Sequence, residues 1–391
     1  MNYKSTKIAC YIGFVVQAII NNFLPILFII FNRSYGIGYE RLGRIIFINF
    51  FTQIIADFST PYISKFLGYR KTAVLCHLLS AAGLIALGIS AKFFANIYPV
   101  LAVSVMLYAF GSGIIEVVMS PIVEMIPGKN KTADMALTHS FYCWGQAFTV
   151  AVTTLLVSIL GFSAWSNIPL LWAIIPLVNL FLFLRVPIIE PKEEQESGHN
   201  LSLFKSRVFW CFAVFMICAG ASEISMSQWA SVFAQNSLGI SKATGDLLGP
   251  CMFALCMGTG RIVFSVISNK VSLRKAVIAF CTLCTACYII VGVTNNPTIS
   301  LISCGLCGFS VSLMWPGTYS MAAASFKNGG TFMFSIFALC GDMGCSVGPW
   351  VLGALAEKTS LKFGMAACSI FPLIMLLCAV FVLKEKDCKM H

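Results

Sequence analysis

Apolar residues in this chain fall in long unbroken runs, separated by short polar breaks. A helix needs about 20 mostly apolar residues to cross the hydrocarbon core of a bilayer. Twelve runs reach that length: 8–31, 42–66, 72–91, 97–122, 135–160, 165–186, 207–235, 243–269, 274–294, 298–321, 330–355 and 362–384. Numbered in that order as spans 1 to 12, they predict an all-α membrane protein of twelve transmembrane helices. The first run is too long for a signal h-region and has no small-residue cleavage site, so it reads as span 1 and not as a leader.

One long polar stretch interrupts the pattern, from Glu190 to Ser206. It reads as a flexible cytoplasmic linker, with His199 a solvated loop residue. The chain thereby divides into a six-helix bundle at 1–186, a linker at 187–206 and a second six-helix bundle at 207–391. The two halves resemble each other at matching places. SKFLGYRKTAV (64–74) aligns with SNKVSLRKAVI (268–278), pairing Ser64 with Ser268, Arg70 with Arg274 and Lys71 with Lys275. Spans 4 and 10 match at one constant offset, which pairs Gly113 with Gly308, Met119 with Met314 and Pro121 with Pro316. Parallel six-span repeats mark transporters whose solute sits near the midplane.

Composition supports this plan. Apolar residues make up 58% of the chain and charged ones 10%, against roughly 25% charged in soluble domains. Such a surface is too poor in charge for water and suits lipid. The net charge of +11 would raise the question of nucleic acid in a soluble protein. Here the basic residues sit in short loops, with no basic tract interleaved with aromatics, so nucleic-acid binding is excluded. With both termini cytoplasmic, 18 Lys and Arg fall inside and 7 outside, with Arg261 within a span. That asymmetry orients the termini inward. Most of the 17 cysteines lie within apolar runs. The CxxCxxC of Cys281, Cys284 and Cys287 and the CxxC of Cys304 and Cys307 read as small buried apolar residues and not as a metal or disulfide framework.

Ionisable residues at bilayer depth cost at least about 2.5–3.5 kcal/mol and persist where they face a cavity or partner. The candidates are Asp57, His77, Glu116, His139, Glu223, Arg261 and Asp342. Glu116, in GSGIIEVVMSP, is flanked one turn away by Ser112 and Ser120, so span 4 carries a polar stripe. Burial penalises its charged form, which suits a proton carrier. His139, Tyr142 and Gln146 share one face of span 5. Glu223 in span 7 is followed by Ser227, Gln228 and Trp229, a set suited to ring and hydroxyl contacts. Gln17, Asn21 and Asn22 put amides in span 1. Asp342 lies among glycines in span 11, and Trp315 precedes Pro316 in span 10. We expect proton coupling at Glu116, Glu223 and Asp342. Solute contacts are expected from Gln17, Asn21, Asn22, Glu116, His139, Tyr142, Gln146, Glu223, Ser227, Gln228, Trp229 and Trp315. Asp57, Arg70, Lys71, Arg261, Arg274 and Lys275 are expected to gate the cytoplasmic side, while His77 reads as structural.

The twelve-span plan and the basic loops after spans 2 and 8 resemble the major facilitator superfamily. A closer likeness, to its fucose–proton symporter branch, rests on GSGIIEVVMSPIV, ALTHSFYCWGQAF and CGFSVSLMWPGTYSMA. The resemblance implies the major facilitator fold, two pseudo-symmetric six-helix bundles. It also makes Glu116 the match of the branch's essential span-4 glutamate, which links proton and sugar binding. His139 falls at the branch's polar span-5 position. The chain departs from the pattern at INNFLP, where Asn21 or Asn22 replaces an aspartate, at Lys65, where an acidic residue is usual, and around Glu223.

The expectation is a multi-pass protein of the cell (inner) membrane, monomeric and without a cofactor, which imports a small polar solute with protons by alternating access. A sugar-like solute is favoured. The alternative is proton-antiport efflux of amphipathic compounds. With no HExxH, GxSxG or P-loop in the sequence, an enzyme is not expected.

Overall fold

The computed structural model describes residues 3–94, 96–127, 131–189, 201–267, 272–326 and 330–381. The linker residues 190–200, His199 among them, and Ser268 of the repeat lie outside the described residues. Within them the chain is helical, with no strand. Eleven helices are long and apolar enough to cross a membrane: Lys4–Tyr35, Tyr39–Ile89, Ile97–Met125, Leu137–Leu160, Asn167–Arg185, Arg207–Leu238, Lys242–Phe264, Leu273–Val293, Pro297–Ser325, Ser335–Lys358 and Leu361–Phe381. The second counts twice. At about 1.5 Å per residue, its 51 residues reach about 76 Å, more than twice the apolar thickness of a bilayer. Gly68, at φ 76° and ψ 161°, breaks the helical path there. A residue with a Cβ does not readily take that φ, so the glycine lets span 2 end and span 3 begin without an intervening loop. The twelve expected spans are therefore present.

Prolines break several of the others. Span 1 pauses at Leu27 after Pro25, and span 10 is interrupted at Ser312 and Leu313 ahead of Pro316. Span 8 opens with a short α-helix, Lys242–Asp246, and then takes a π turn, Leu247–Cys251, around Pro250. Proline withholds an N–H from its helix, so breaks at these points are expected.

The chain forms two compact units: Met1–Ile37 with Ile48–Glu194, and Gly38–Phe47 with Gln195–His391. The sequence reading placed Gly38–Phe47 in the first bundle, and its contacts join it to the second unit. The Trp350 indole N–H donates to Glu40 Oε1 at 3.1 Å, and the Asn236 amide donates to the Tyr39 hydroxyl at 2.8 Å. Trp350 and Pro349 backbone atoms stand about 3.0 Å from where a Gly43 Cβ would lie.

Each unit is built around one central helix. In the first, span 1 packs chiefly on span 5; in the second, span 7 packs chiefly on span 11. Both seams run over small residues. A Cβ on Gly145 would stand 2.9 Å from Ala18 Cβ. Cβ atoms on Gly220 and Gly344 would meet the Gly341 and Ile217 carbonyl oxygens at 2.2 and 2.0 Å. Lipid removes the hydrophobic drive between helices, so close packing over small residues has to hold them together.

The repeat read from sequence is structural. Gly113 of span 4 lies against span 2, where its Cβ would be 2.8 Å from the Gln53 carbonyl oxygen; Gly308 of span 10 lies against span 8, 2.2 Å from that of Phe253. Arg70 and Arg274, expected at gates, do the same work in their own units. Arg70 Nη1 donates to the Phe183 and Leu184 carbonyls at 2.9 and 3.1 Å. Arg274 donates from Nε to Ala379 and from Nη2 to Val380, at 3.0 and 2.9 Å. Each guanidinium thus ties down the C-terminal end of the last helix of its unit, whose final carbonyls lack intrahelical partners.

Two outcomes follow. Gly344→Ala drives a methyl into the span 7 backbone and costs stability at the upper end of about 1–3 kcal/mol. Gly36→Ala meets no atom within 4 Å and costs only the left-handed backbone penalty of about 1–2 kcal/mol. Apparent melting temperatures in detergent should rank them in that order. Arg70→Ala and Arg274→Ala should each lose about 1.5–3 kcal/mol, and Lys at either position should restore only part, because one ammonium does not reproduce the planar fork.

Candidate functional site

In the first unit, four spans pool their polar side chains. Gln17 Nε2 of span 1 donates to Glu116 Oε2 of span 4 at 2.7 Å. One turn on, Asn21 Oδ1 accepts from Asn49 Nδ2 at 3.1 Å and from Gln53 Nε2 at 3.0 Å, both on span 2. Asn21 Nδ2 donates to the Tyr142 hydroxyl of span 5 at 3.4 Å. Ser112 Oγ of span 4 donates to Gln53 Oε1 at 3.1 Å. Ser120 Oγ stands 3.3 Å from His139 Nε2, and the Phe14 ring packs 4.7 Å from the imidazole. The amides are buried, whereas Glu116 and Tyr142 keep partial exposure and His139 is exposed. The hydrogen bonds made among the buried amides offset the penalty of burying them and hold the carboxyl in place, while Asn49 Oδ1 is buried without a hydrogen-bond partner.

Five expected residues therefore meet here: Gln17, Asn21, Glu116, His139 and Tyr142. Gln146 shares their face of span 5, and its Oε1 is buried without a hydrogen-bond partner. The Asn22 amide donates to the Ala18 carbonyl of its own helix at 2.9 Å. Asn49 and Gln53 went unnoticed in the sequence. With Asp57 they form an i, i+4, i+8 row, and that spacing was the available signal. Asp57 sits beside Gly113, 3.1 Å from where a Cβ would be. His77 is structural as expected: Nδ1 bonds the Ala73 carbonyl at 2.7 Å, and Nε2 lies 2.7 Å from the Asn179 amide.

The second unit holds a different arrangement. Glu223 of span 7 is buried and interacts electrostatically with Arg261 of span 8. Ser227 donates to its own helix at Ile224, and Gln228 is buried. Trp229 is enclosed. Expected against solute, it has no exposed surface; its N–H donates to the Pro349 carbonyl at 3.0 Å and its ring meets Tyr39 edge-on. The Trp315 ring lies 2.2 Å from where a Gly341 Cβ would stand, and Asp342, the next residue, is buried. Lys71 and Lys275 flank the helix-tying arginines in sequence. A further buried pair was missed: Asp246 accepts from Lys242 at 2.7 Å and from Ser231. Its signal was again the i, i+4 spacing. Among the described residues, no group of three or more His, Cys, Asp or Glu is placed to hold a metal ion.

Two helical units with polar groups at bilayer depth define a membrane transporter. The sequence profile of the Major Facilitator Superfamily matches residues 9–333 and 252–388, and the chain belongs to that family, whose members move solutes and are not enzymes. An uncharacterised MFS-type transporter of Yersinia pestis is 23% identical over 301 residues, covering 74% of this chain and 75% of the relative. The fold is shared with a D-xylose–proton symporter (TM-score 0.82, 13% identity, all of both chains). It is shared too with the nucleoside transporter NupG (0.78, 12%, 97% of this chain and 100% of that one). The fucose:proton symporter of E. coli also matches (0.66, 16%, 98% and 100%).

Because the Trp229 ring is enclosed and only its N–H bond is polar, Trp229→Phe should lower the melting temperature by the equivalent of about 1 kcal/mol. Uptake affinity should not change. A large rise in KM with unaltered stability would return Trp229 to the solute.

Proposed function

We propose that this protein is a proton-coupled symporter that carries a small, neutral, hydroxyl-rich solute, sugar-like, into the cell by alternating access. The reading places it as a monomer in the cell (inner) membrane with both termini cytoplasmic. The observation that carries it is the hydrogen bond from Gln17 to Glu116 at the end of an amide network. Apart from the imidazole, the network's members are neutral or acidic. Amides, a phenol and a serine offer donors and acceptors in equal measure, which suits hydroxyls and gives an anion nothing to pair with. Glu116 is the proton carrier, since a protonated carboxyl is neutral and crosses low dielectric more cheaply than a carboxylate. Glu223 and Asp342 are secondary candidates for the coupling role. The D-xylose and fucose symporters of like fold support the solute class, and the nucleoside transporter keeps a ribosyl compound within it.

Uptake of radiolabelled monosaccharides and nucleosides into proteoliposomes with an imposed inward proton gradient tests this. The wild-type protein should concentrate at least one of them, and a protonophore should abolish the concentration. Glu116→Gln should bind and exchange the solute but no longer concentrate it. Full accumulation by Glu116→Gln would remove the coupling role. Protection of cells from a toxic amphipathic compound, with no sugar uptake, would favour efflux.

A further inference from the structure

Span 4 carries a stripe that runs past the carboxyl toward the helix end. Ser112, Glu116, Ser120 and Glu124 follow one another at four-residue spacing, on one face. Exposure grows along it: Ser112 is buried, Glu116 and Ser120 are half-buried, and Glu124 is exposed. Met125 ends the helix, nine residues or about 14 Å from Glu116. Beside the third member stands His139, exposed, with Nε2 3.3 Å from Ser120 Oγ. Its ring is set against Phe14 of span 1. Imidazole is the side chain that takes and gives protons near neutral pH, and its two nitrogens let one side accept as the other releases.

We propose that His139 and Ser120 form the proton relay between Glu116 and the aqueous face at this end of the helix. The inference rests on the proton-carrier reading of Glu116. Glu116 and Ser120 are one turn apart, a gap that one water bridges. On unloading, the Glu116 O–H bond breaks and its proton passes through that water to Ser120 Oγ. The hydroxyl's own proton moves to His139 Nε2, and the imidazolium releases the Nδ1 proton to solvent. Solvent exchange at the two ring nitrogens returns the imidazole to its starting tautomer before the next proton, and no other bond is made or broken. The titratable and charged side chains on the helices that carry the relay include, by sequence position, Glu116 and Glu124 on span 4, Tyr142 on span 5, and Lys7 and Tyr11 on span 1. His139 is thus a positioning and transfer group for the proton and not a solute contact.

The probe is the proton itself. The full chain in detergent receives a pH jump, and the carboxyl C=O stretch is followed by time-resolved infrared difference spectroscopy. The band missing in Glu116→Gln belongs to Glu116. His139→Gln should slow protonation of that band by at least about tenfold, with its titration midpoint unmoved. Ser120→Ala should slow it likewise, and it provides the test if His139→Gln fails to fold. A merely structural role would shift the midpoint or the melting temperature and leave the rate alone. Unchanged rates in both variants would overturn the relay while the Glu116 reading stands. If Glu116→Gln removes no titrating band, the proton-carrier reading falls, and the relay with it.

Discussion

The bilayer gives a polar group no water to fall back on, and the fold is organised by that constraint. A carboxyl at the depth of Glu116 is tolerable only where neighbouring helices meet its hydrogen bonds. Gln17 supplies one of them. Gln17 is in turn held by a span 1 whose next turn, at Asn21, is pinned by two amides from span 2 and bonded to Tyr142 of span 5. The network thus fastens four helices through one another's side chains. It could not form unless the backbones came close, and that is the job of the small residues. Gly113 lets span 2 reach span 4, and Gly145 lets span 5 reach span 1. Packing and polarity are one requirement here, since a Cβ at Gly113 would part the helices that carry Gln53 and Glu116.

Much of this was legible in the sequence. Hydropathy placed twelve spans, because membrane insertion reads the same property. The glycine and the arginine repeats at Gly113/Gly308 and Arg70/Arg274 became matching contacts in the structure. Glu116, His139 and Tyr142 stood out as polar residues in apolar runs. Three things were not legible. Asn49 and Gln53 were hidden because amides are cheap enough in a membrane helix to draw little notice, and only the partner across the gap shows what they do. The enclosure of Trp229 depends on Pro349 and Tyr39, far away in sequence. The membership of Gly38–Phe47 in the second unit depends on Trp350 and Asn236 in the same way. Residue type gives a chemistry, and only tertiary contact decides whether it is spent on packing or left for a ligand.

Arg70 and Arg274 show the same point for charge. A basic pair in a loop after the second span of each half invites a gating role. The structure commits each guanidinium to two helix-terminal carbonyls. Those carbonyls would otherwise face the membrane boundary without donors, so the arginine fulfils a need of the fold. Any part it takes in gating must be compatible with keeping that helix end tied.

The two halves share a backbone plan and diverge in what they carry on it. At the offset that pairs Gly113 with Gly308, the polar stripe Ser112, Glu116, Ser120 and Glu124 corresponds to Cys307, Val311, Trp315 and Tyr319. The glycine that governs helix approach is kept, as are Met119 and Pro121, while every polar member of the stripe is replaced by a thiol, an aliphatic or an aromatic residue. A duplicated scaffold needs the same close contacts in both copies, so its glycines are held in place by geometry. The second unit places buried acids elsewhere, at Glu223, Asp246 and Asp342, and the Glu223 carboxyl on the central span 7 feels the charge of Arg261. A carboxyl balanced by a guanidinium has an internal counter-charge, whereas Glu116 is held by a neutral amide. That difference is the reason the proposed coupling role falls to Glu116: its carboxyl would exchange a proton without stranding an opposite charge beside it.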